Sequence, residues 1–138
     1  MTNNINNKVA YITGGSKGIG YGIAKTLLAQ GMRVAISSRS LDAAKKAAAT
    51  LSNDAGRVLA LGADVRSADS ESKAVKAVID HFGQLDVLVA NAGVGHFSPI
   101  DQLTAEDWKS TIDTNLTGVF NSVKAAIDPL KLSEGYII

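Results

Sequence analysis

Lys8-Val9-Ala10-Tyr11-Ile12-Thr13, running straight into Gly14-Gly15-Ser16-Lys17-Gly18-Ile19-Gly20, is the stretch on which the fold turns. Its first half is a short apolar, β-prone run, and its second half is a glycine cluster. From Gly18 to Gln30, Ile19, Ile23, Leu27 and Leu28 recur at helical spacing, and Gly31 stands where a helix stop belongs. The order is therefore strand, glycine loop, helix. In that setting Gly14 can turn the chain sharply, Gly18 can admit a pyrophosphate, and Gly20 can let the helix pack closely. The unpaired N–H groups and positive dipole end of the helix would hold the phosphates. The competing reading is a plain structural turn, because glycine turns are common.

Outward from this stretch the alternation continues. Arg33 to Ser38 reads as a second buried strand, Leu41 to Leu51 as an Ala-rich helix, and Arg57 to Leu61 as a third strand. A helix follows from about Ser67 to Phe82, with Ser67 and Asp69 at its start, and Asp86 to Ala90 is a fourth strand closed by Asn91-Ala92-Gly93. Thr104 caps a further helical stretch that reaches about Leu130 and is interrupted near Asn115. Gly135-Tyr136-Ile137-Ile138 opens a fifth strand. Strands alternating with helices predict an α/β fold, an open parallel sheet covered on both faces. Residues 1–138 read as one domain, with residues 1–7 as a flexible polar tail.

Composition narrows the function. The chain has 138 residues, 14 Lys+Arg against 13 Asp+Glu, no cysteine and two histidines. A net charge of +1 carries no basic stripe, so no nucleic-acid partner and no polybasic membrane contact is expected. Without cysteine, disulfides, thiolate metal sites and a thiol nucleophile are excluded, and His81 and His96 alone cannot make a three-histidine site. No metal is expected. The apolar runs are too short to span a bilayer, and residues 1–8 lack an apolar signal core, which predicts a cytoplasmic protein.

The glycine loop resembles the T-G-x-x-x-G-x-G pattern of the short-chain dehydrogenase/reductase family at Thr13, Gly14, Gly18 and Gly20. Asn91-Ala92-Gly93 corresponds to the family's N-A-G after the fourth strand, and Asp64-Val65 resembles the D-V pair that contacts adenine. Asn115, in Asn115-Leu116-Thr117-Gly118, falls on the family's helix asparagine, which supports a catalytic water and lysine. The resemblance covers essentially the whole chain and is nearest to 3-oxoacyl-(acyl carrier protein) reductases. It implies a doubly wound Rossmann fold, here ending after the start of the fifth strand. It also implies hydride transfer between a nicotinamide and a small carbonyl or secondary-alcohol substrate, and a homo-oligomer, dimer or tetramer. The expected cofactor-binding residues are Gly14, Ser16, Lys17, Gly18, Ile19, Gly20, Ser38, Arg39, Asp64, Val65, Asn91, Ala92 and Gly93. The expected catalytic residue is Asn115.

Charge argues for the form of the cofactor. An acid at the end of the second strand would accept from the 2′-hydroxyl of NAD and repel a 2′-phosphate. Here Ser37-Ser38-Arg39-Ser40 supplies none, and Arg39 with Lys17 offers cations suited to phosphate. NADP(H) is expected over NAD(H). The alternative is that both are merely solvated surface charges.

The family's catalytic serine, tyrosine and lysine fall beyond Ile138, so the chain alone is expected to be inactive. Three explanations stay open: part of a longer enzyme, a nucleotide-binding or interaction module, or a chain completed by a partner. Tyr21 and Lys25 form a Y-x-x-x-K match, but on the first helix, where the angular spacing turns both away from the Ile19, Ile23, Leu27 stripe toward solvent. Tyr11 and Tyr136 are strand residues. His96 and Phe97 follow the Asn91 turn and are either substrate-side or ordinary loop residues, His81 near a helix end is either a favourable C-terminal charge or a surface residue, and Trp108 is expected to be a core residue rather than a ligand contact. An unfinished fifth strand leaves an open sheet edge, and the stretch from Leu116 to Leu130, which resembles the helix the family uses for oligomer contacts, would lose its neighbour, which predicts self-association or poor stability of the isolated chain.

Overall fold

In the computed structural model, which describes residues 4–138, the predicted alternation is present from end to end. The strands are β1 (Val9–Ile12), β2 (Arg33–Ser38), β3 (Val58–Gly62), β4 (Val87–Val89) and β5 (Tyr136–Ile137). The helices are α1 (Gly18–Ala29), α2 (Leu41–Leu51), α3 (Ala68–Phe82), α4 (Ala105–Ile112) and α5 (Gly118–Ser133). All five strands are parallel in the order β3-β2-β1-β4-β5. The chain thus steps outward from β1 to β3 and then crosses β1 to place β4 on its other side. This is the doubly wound Rossmann arrangement, and its reversal of strand order opens a crevice at the carboxyl ends of β1 and β4.

Alternation along the strands sends side chains to two separate cores. On one face Val9, Tyr11, Ala35 and Leu88 pack against Val75, Val78 and Phe82 of α3 and Ala126 and Leu130 of α5. On the other, Ile12, Val34, Ile36, Val58 and Val89 pack against Ala24 and Leu28 of α1 and Ala47 of α2. Helix starts carry the caps that the sequence suggests. Ser67 Oγ accepts from Ser70 N–H at 3.2 Å, and Thr104 Oγ1 accepts from Asp107 N–H at 3.0 Å.

Residues 1–3 of the expected polar tail lie outside the described residues. Asn7 is bound: its N–H donates to the Gly31 carbonyl at 2.9 Å, and its own carbonyl accepts from Arg33 Nη2 at 2.9 Å. The interruption near Asn115 is a π-helical turn, Asp113–Thr117, between α4 and α5.

Three expectations about side chains are corrected. The buried stripe of α1 is Gly20, Ala24 and Leu28, while Ile19 is 78% exposed. Small residues at 20 and 24 let the helix axis approach the sheet, so Ile23 and Leu27 flank the contact and Ile19 turns to the crevice. Tyr21 accordingly packs half-buried toward α2 rather than into solvent, with its hydroxyl 2.9 Å from Thr50 Oγ1. Trp108 is 58% exposed on α4 and is not a core residue, because α4 buries no side chain among the described residues.

Candidate cofactor site

A groove of about 480 Å³ occupies the crevice at the carboxyl ends of β1, β2 and β4. Of the predicted cofactor residues, Gly14, Ser16, Lys17, Gly18, Ile19, Ser38, Arg39, Asp64, Val65, Asn91, Ala92 and Gly93 all line it. Gly20 does not. It lies behind the loop, where an added Cβ would come within 2.5 Å of Asn91 Nδ2 and 2.7 Å of the Gly14 carbonyl oxygen. Gly14, at φ +66°, turns the chain against Ala92, whose Cα would lie 2.9 Å from a Cβ at position 14. Gly18, at φ +58°, has no neighbour within 4 Å of a notional Cβ, so its face is open.

The loop is fastened from two sides, the segment after β4 and the end of β2. Asn91 Nδ2 donates to the carbonyls of Thr13 at 3.0 Å and Gly14 at 3.3 Å, and Ala92 N–H donates to Thr13 Oγ1 at 3.0 Å. Gly15 N–H donates to the Ser37 carbonyl at 3.0 Å, coupling the loop to the end of β2. A preformed loop loses little conformational entropy on binding a ligand. At its exit, α1 begins with no side-chain cap at Lys17 and no acid in its first turn, leaving its first N–H groups and dipole for an anion.

Around the groove the charges are unequal in availability. Arg66 donates to Asp64 through its main-chain N–H at 3.0 Å and through Nη2 at 2.6 Å. Hydrogen bonding from Arg66 outweighs burial and holds the Asp64 carboxyl below its usual range. Lys17 and Arg39 make no ion pair among the described residues. The groove therefore carries two free cations on a glycine-rich, N–H-lined wall, a donor set that fits a dinucleotide with its phosphates.

Asn115 stands just outside the groove, on the π-helical turn. Its Oδ1 accepts from Val94 N–H at 2.8 Å and its Nδ2 donates to the Val94 carbonyl at 2.8 Å, so both ends of the amide clamp the segment that follows β4. Its neighbour Thr114 reaches the groove instead. His96 Nδ1 lies 3.4 Å from Asp107 Oδ1, and Phe97 is fully exposed; neither lines the groove. His81 is at the surface, with Nε2 2.9 Å from the Ala55 carbonyl. Sequence reasoning missed Ser37, Ala63, Arg66, Val94 and Thr114 as lining residues. Arg66, two residues after Asp64, was open to recognition as its charge partner. Thr114 was not, because only the packing of α4 and the π-helical turn brings it there.

A larger, apolar cavity of about 640 Å³ runs along β4 and β5 beside α1 and holds none of these candidates. The polar chemistry lies in the smaller groove.

A family model described as short chain dehydrogenase matches residues 8–138. The chain belongs to the short-chain dehydrogenase family. It is 39% identical over 134 residues to a 3-oxoacyl-(acyl-carrier-protein) reductase of Chlamydia muridarum, covering 96% of this chain and 54% of that one. Among solved short-chain dehydrogenases, an alcohol dehydrogenase from Thermococcus sibiricus complexed with 5-hydroxy-NADP superposes with a TM-score of 0.89 at 40% identity. That match covers 96% of this chain and 57% of the other. A 3-ketoacyl-(acyl-carrier-protein) reductase from Brucella melitensis complexed with NADH gives a TM-score of 0.87 at 31% identity, over 93% of this chain and 52% of that one. The chain thus spans about half the length of the relatives it matches. Members of the family bind nicotinamide cofactors, and the two structures hold one of each type. No helix among the described residues is long and apolar enough to cross a membrane.

Proposed function

We propose that this chain is the nucleotide-binding part of an NADP(H)-dependent oxidoreductase acting on a carbonyl or secondary alcohol. The observation that carries the reading is the end of β2, where Ser38 and an unpaired Arg39 face the groove and no acid stands. A carboxylate there would repel a 2′-phosphate, whereas a guanidinium can donate to it in a planar fork. When bound, a nicotinamide dinucleotide supplies or accepts the hydride. The first turn of α1, with Gly18 open, would receive the pyrophosphate, and Lys17 would add charge beside it. Asp64 and Val65 would border the adenine. Asn91 keeps the glycine loop in its binding shape, and Asn115 acts as a positioning residue by clamping Val94 at the groove's far end.

None of Tyr11, Tyr21 and Tyr136 lines the groove, which supports binding without turnover by these residues. Calorimetric titration tests the reading. NADPH should bind about tenfold or more tightly than NADH, and Arg39→Ala should remove most of that difference. Equal dissociation constants in the parent chain would sink the NADP(H) preference, and oxidation of NADPH by a ketone with this chain alone would sink the inactivity.

A further inference from the structure

Glu71 is a charged-type residue placed where a helix normally presents an aliphatic one. It lies on the α3 stripe with Ala74, Val75, Val78 and Phe82 and is fully buried, at 0% exposure. Its partners are hydroxyls. Tyr11 Oη lies 3.1 Å from Glu71 Oε1 and, equally, 3.1 Å from Ser37 Oγ. Ser37 is itself 1% exposed, and it lines the floor of the candidate cofactor groove. Its carbonyl accepts from Gly15 of the glycine loop. A continuous polar path thus runs from a carboxyl inside the α3 face, through the phenol, to the floor of the groove.

We propose that Glu71 is a positioning residue for the dinucleotide, acting through Tyr11 and Ser37 to hold the carboxyl end of β2 in its binding arrangement. The inference rests on reading the groove as a dinucleotide site. Hydrogen counting gives the relay its sense. One phenolic hydrogen cannot serve both Ser37 and Glu71. With the carboxyl neutral, its hydrogen is available to Tyr11 Oη while Ser122 keeps its own on the Gly118 carbonyl; Tyr11 then donates to Ser37 Oγ, and the Ser37 hydrogen is left for the groove side. With the carboxyl ionised, Tyr11 must donate to Glu71, Ser37 must turn its own hydrogen toward Tyr11, and a buried negative charge stands behind a site for a polyanion. The neutral state is the binding state.

The groups facing Glu71 favour neutrality. Tyr11 comes from β1, Ser37 ends the path from β2, Ser122 comes from α5, and the negative charge of Asp64 acts from the end of β3. Glu71 makes no ion pair among the described residues. Burial first, and Asp64 with it, raises its titration above the ordinary carboxyl range despite the hydroxyl contacts. Burial, reinforced by the charge of Glu71, pushes the Tyr11 phenol far above its usual value, so Tyr11 stays protonated throughout.

The test is NADPH affinity from the ordinary carboxyl range up to about pH 9 for the parent chain, Glu71→Gln and Tyr11→Phe, each checked for native circular dichroism. The amide of Glu71→Gln mimics the neutral carboxyl, so that variant should match the parent at low pH. As pH rises, the parent should weaken relative to Glu71→Gln by about tenfold, while titration of the cofactor's own phosphate cancels in the ratio. Tyr11→Phe should bind more weakly at low pH and lose the parent's excess pH dependence. Parallel parent and Glu71→Gln profiles would overturn the relay, as would a Tyr11→Phe profile identical to the parent's. If Glu71→Gln does not fold, Tyr11→Phe and Ser37→Ala decide by the same criterion. A folded parent that binds no NADPH at any pH overturns the dinucleotide reading itself, and the relay with it.

Discussion

Two carboxyls are buried in the sheet layer, one toward each end of the strands, and their surroundings are opposite. Toward the carboxyl ends, Glu71 meets only hydroxyl groups and a like charge, and is driven toward its neutral form. At the amino ends, Asp86 is 5% exposed and accepts from Val9 N–H at 2.8 Å, Lys8 Nζ at 2.9 Å and Gln84 Nε2 at 2.6 Å. Burial raises the titration of Asp86, but hydrogen bonds from Val9, Lys8 and Gln84 outweigh it and leave the carboxyl below its usual range. Burial is common to both. The donors decide the direction in which each carboxyl is shifted, and so the sign of each one's contribution to the pH dependence of stability.

Removing the charged anchor should have the largest effect. Asp86→Ala leaves the Val9 N–H without its partner and should lower unfolding free energy by about 2–4 kcal/mol in a denaturant titration. A loss within about 0.5 kcal/mol would show that the amino end is held by apolar packing alone. Next in size is the packing difference between neighbouring residues of β4. Leu88→Ala, in the α3/α5 core, should cost about 2–4 kcal/mol, whereas Val87→Ala, half-buried along the apolar groove, should cost under about 1 kcal/mol.

The pH dependence of stability separates the carboxyls by sign. The contribution of Asp86, whose folded value is lowered, is present above its ordinary unfolded range and is lost as pH falls through the folded value. For Glu71, whose folded value is raised, stability is full below the ordinary range and declines as pH rises through the folded value. Asp86→Asn should therefore flatten the acid limb of a stability–pH curve measured by thermal melts. Glu71→Gln should flatten the decline that starts as pH rises above the ordinary carboxyl range, and exchange of those two outcomes would refute the assignment. The smallest change concerns association. Leu116 and Phe120 are 65% and 60% exposed and β5 has an unpaired edge, so the chain should self-associate in sedimentation velocity, with Phe120→Glu shifting it toward monomer.

The strand–loop–helix order and the parallel sheet were legible because periodicity and glycine placement are local properties of the backbone. Twelve of the thirteen residues expected at the cofactor line the groove, and Gly20 packs behind it, because a motif that follows a strand carries its own geometry. Side-chain direction was less legible. The apolar spacing of Ile19, Ile23 and Leu27 suggested a stripe that the small residues Gly20 and Ala24 displaced, since closest approach of helix to sheet goes to the residues with least bulk. Glu71 did leave a trace, as a carboxyl on the spacing of Ala74, Val75, Val78 and Phe82, but nothing local names its partners, which come from β1 and α5.

What the amino-acid sequence determined by itself was the order of elements, the glycine loop and the absence of an acid after β2, all set by neighbours within a few positions. Tertiary structure alone decided that Asn115 clamps Val94, that Arg39 stays unpaired among the described residues, and that one buried carboxyl is shifted down and the other up. Those outcomes depend on which distant donors reach each oxygen and how much water is excluded around it, and both are properties of the packed chain rather than of any segment.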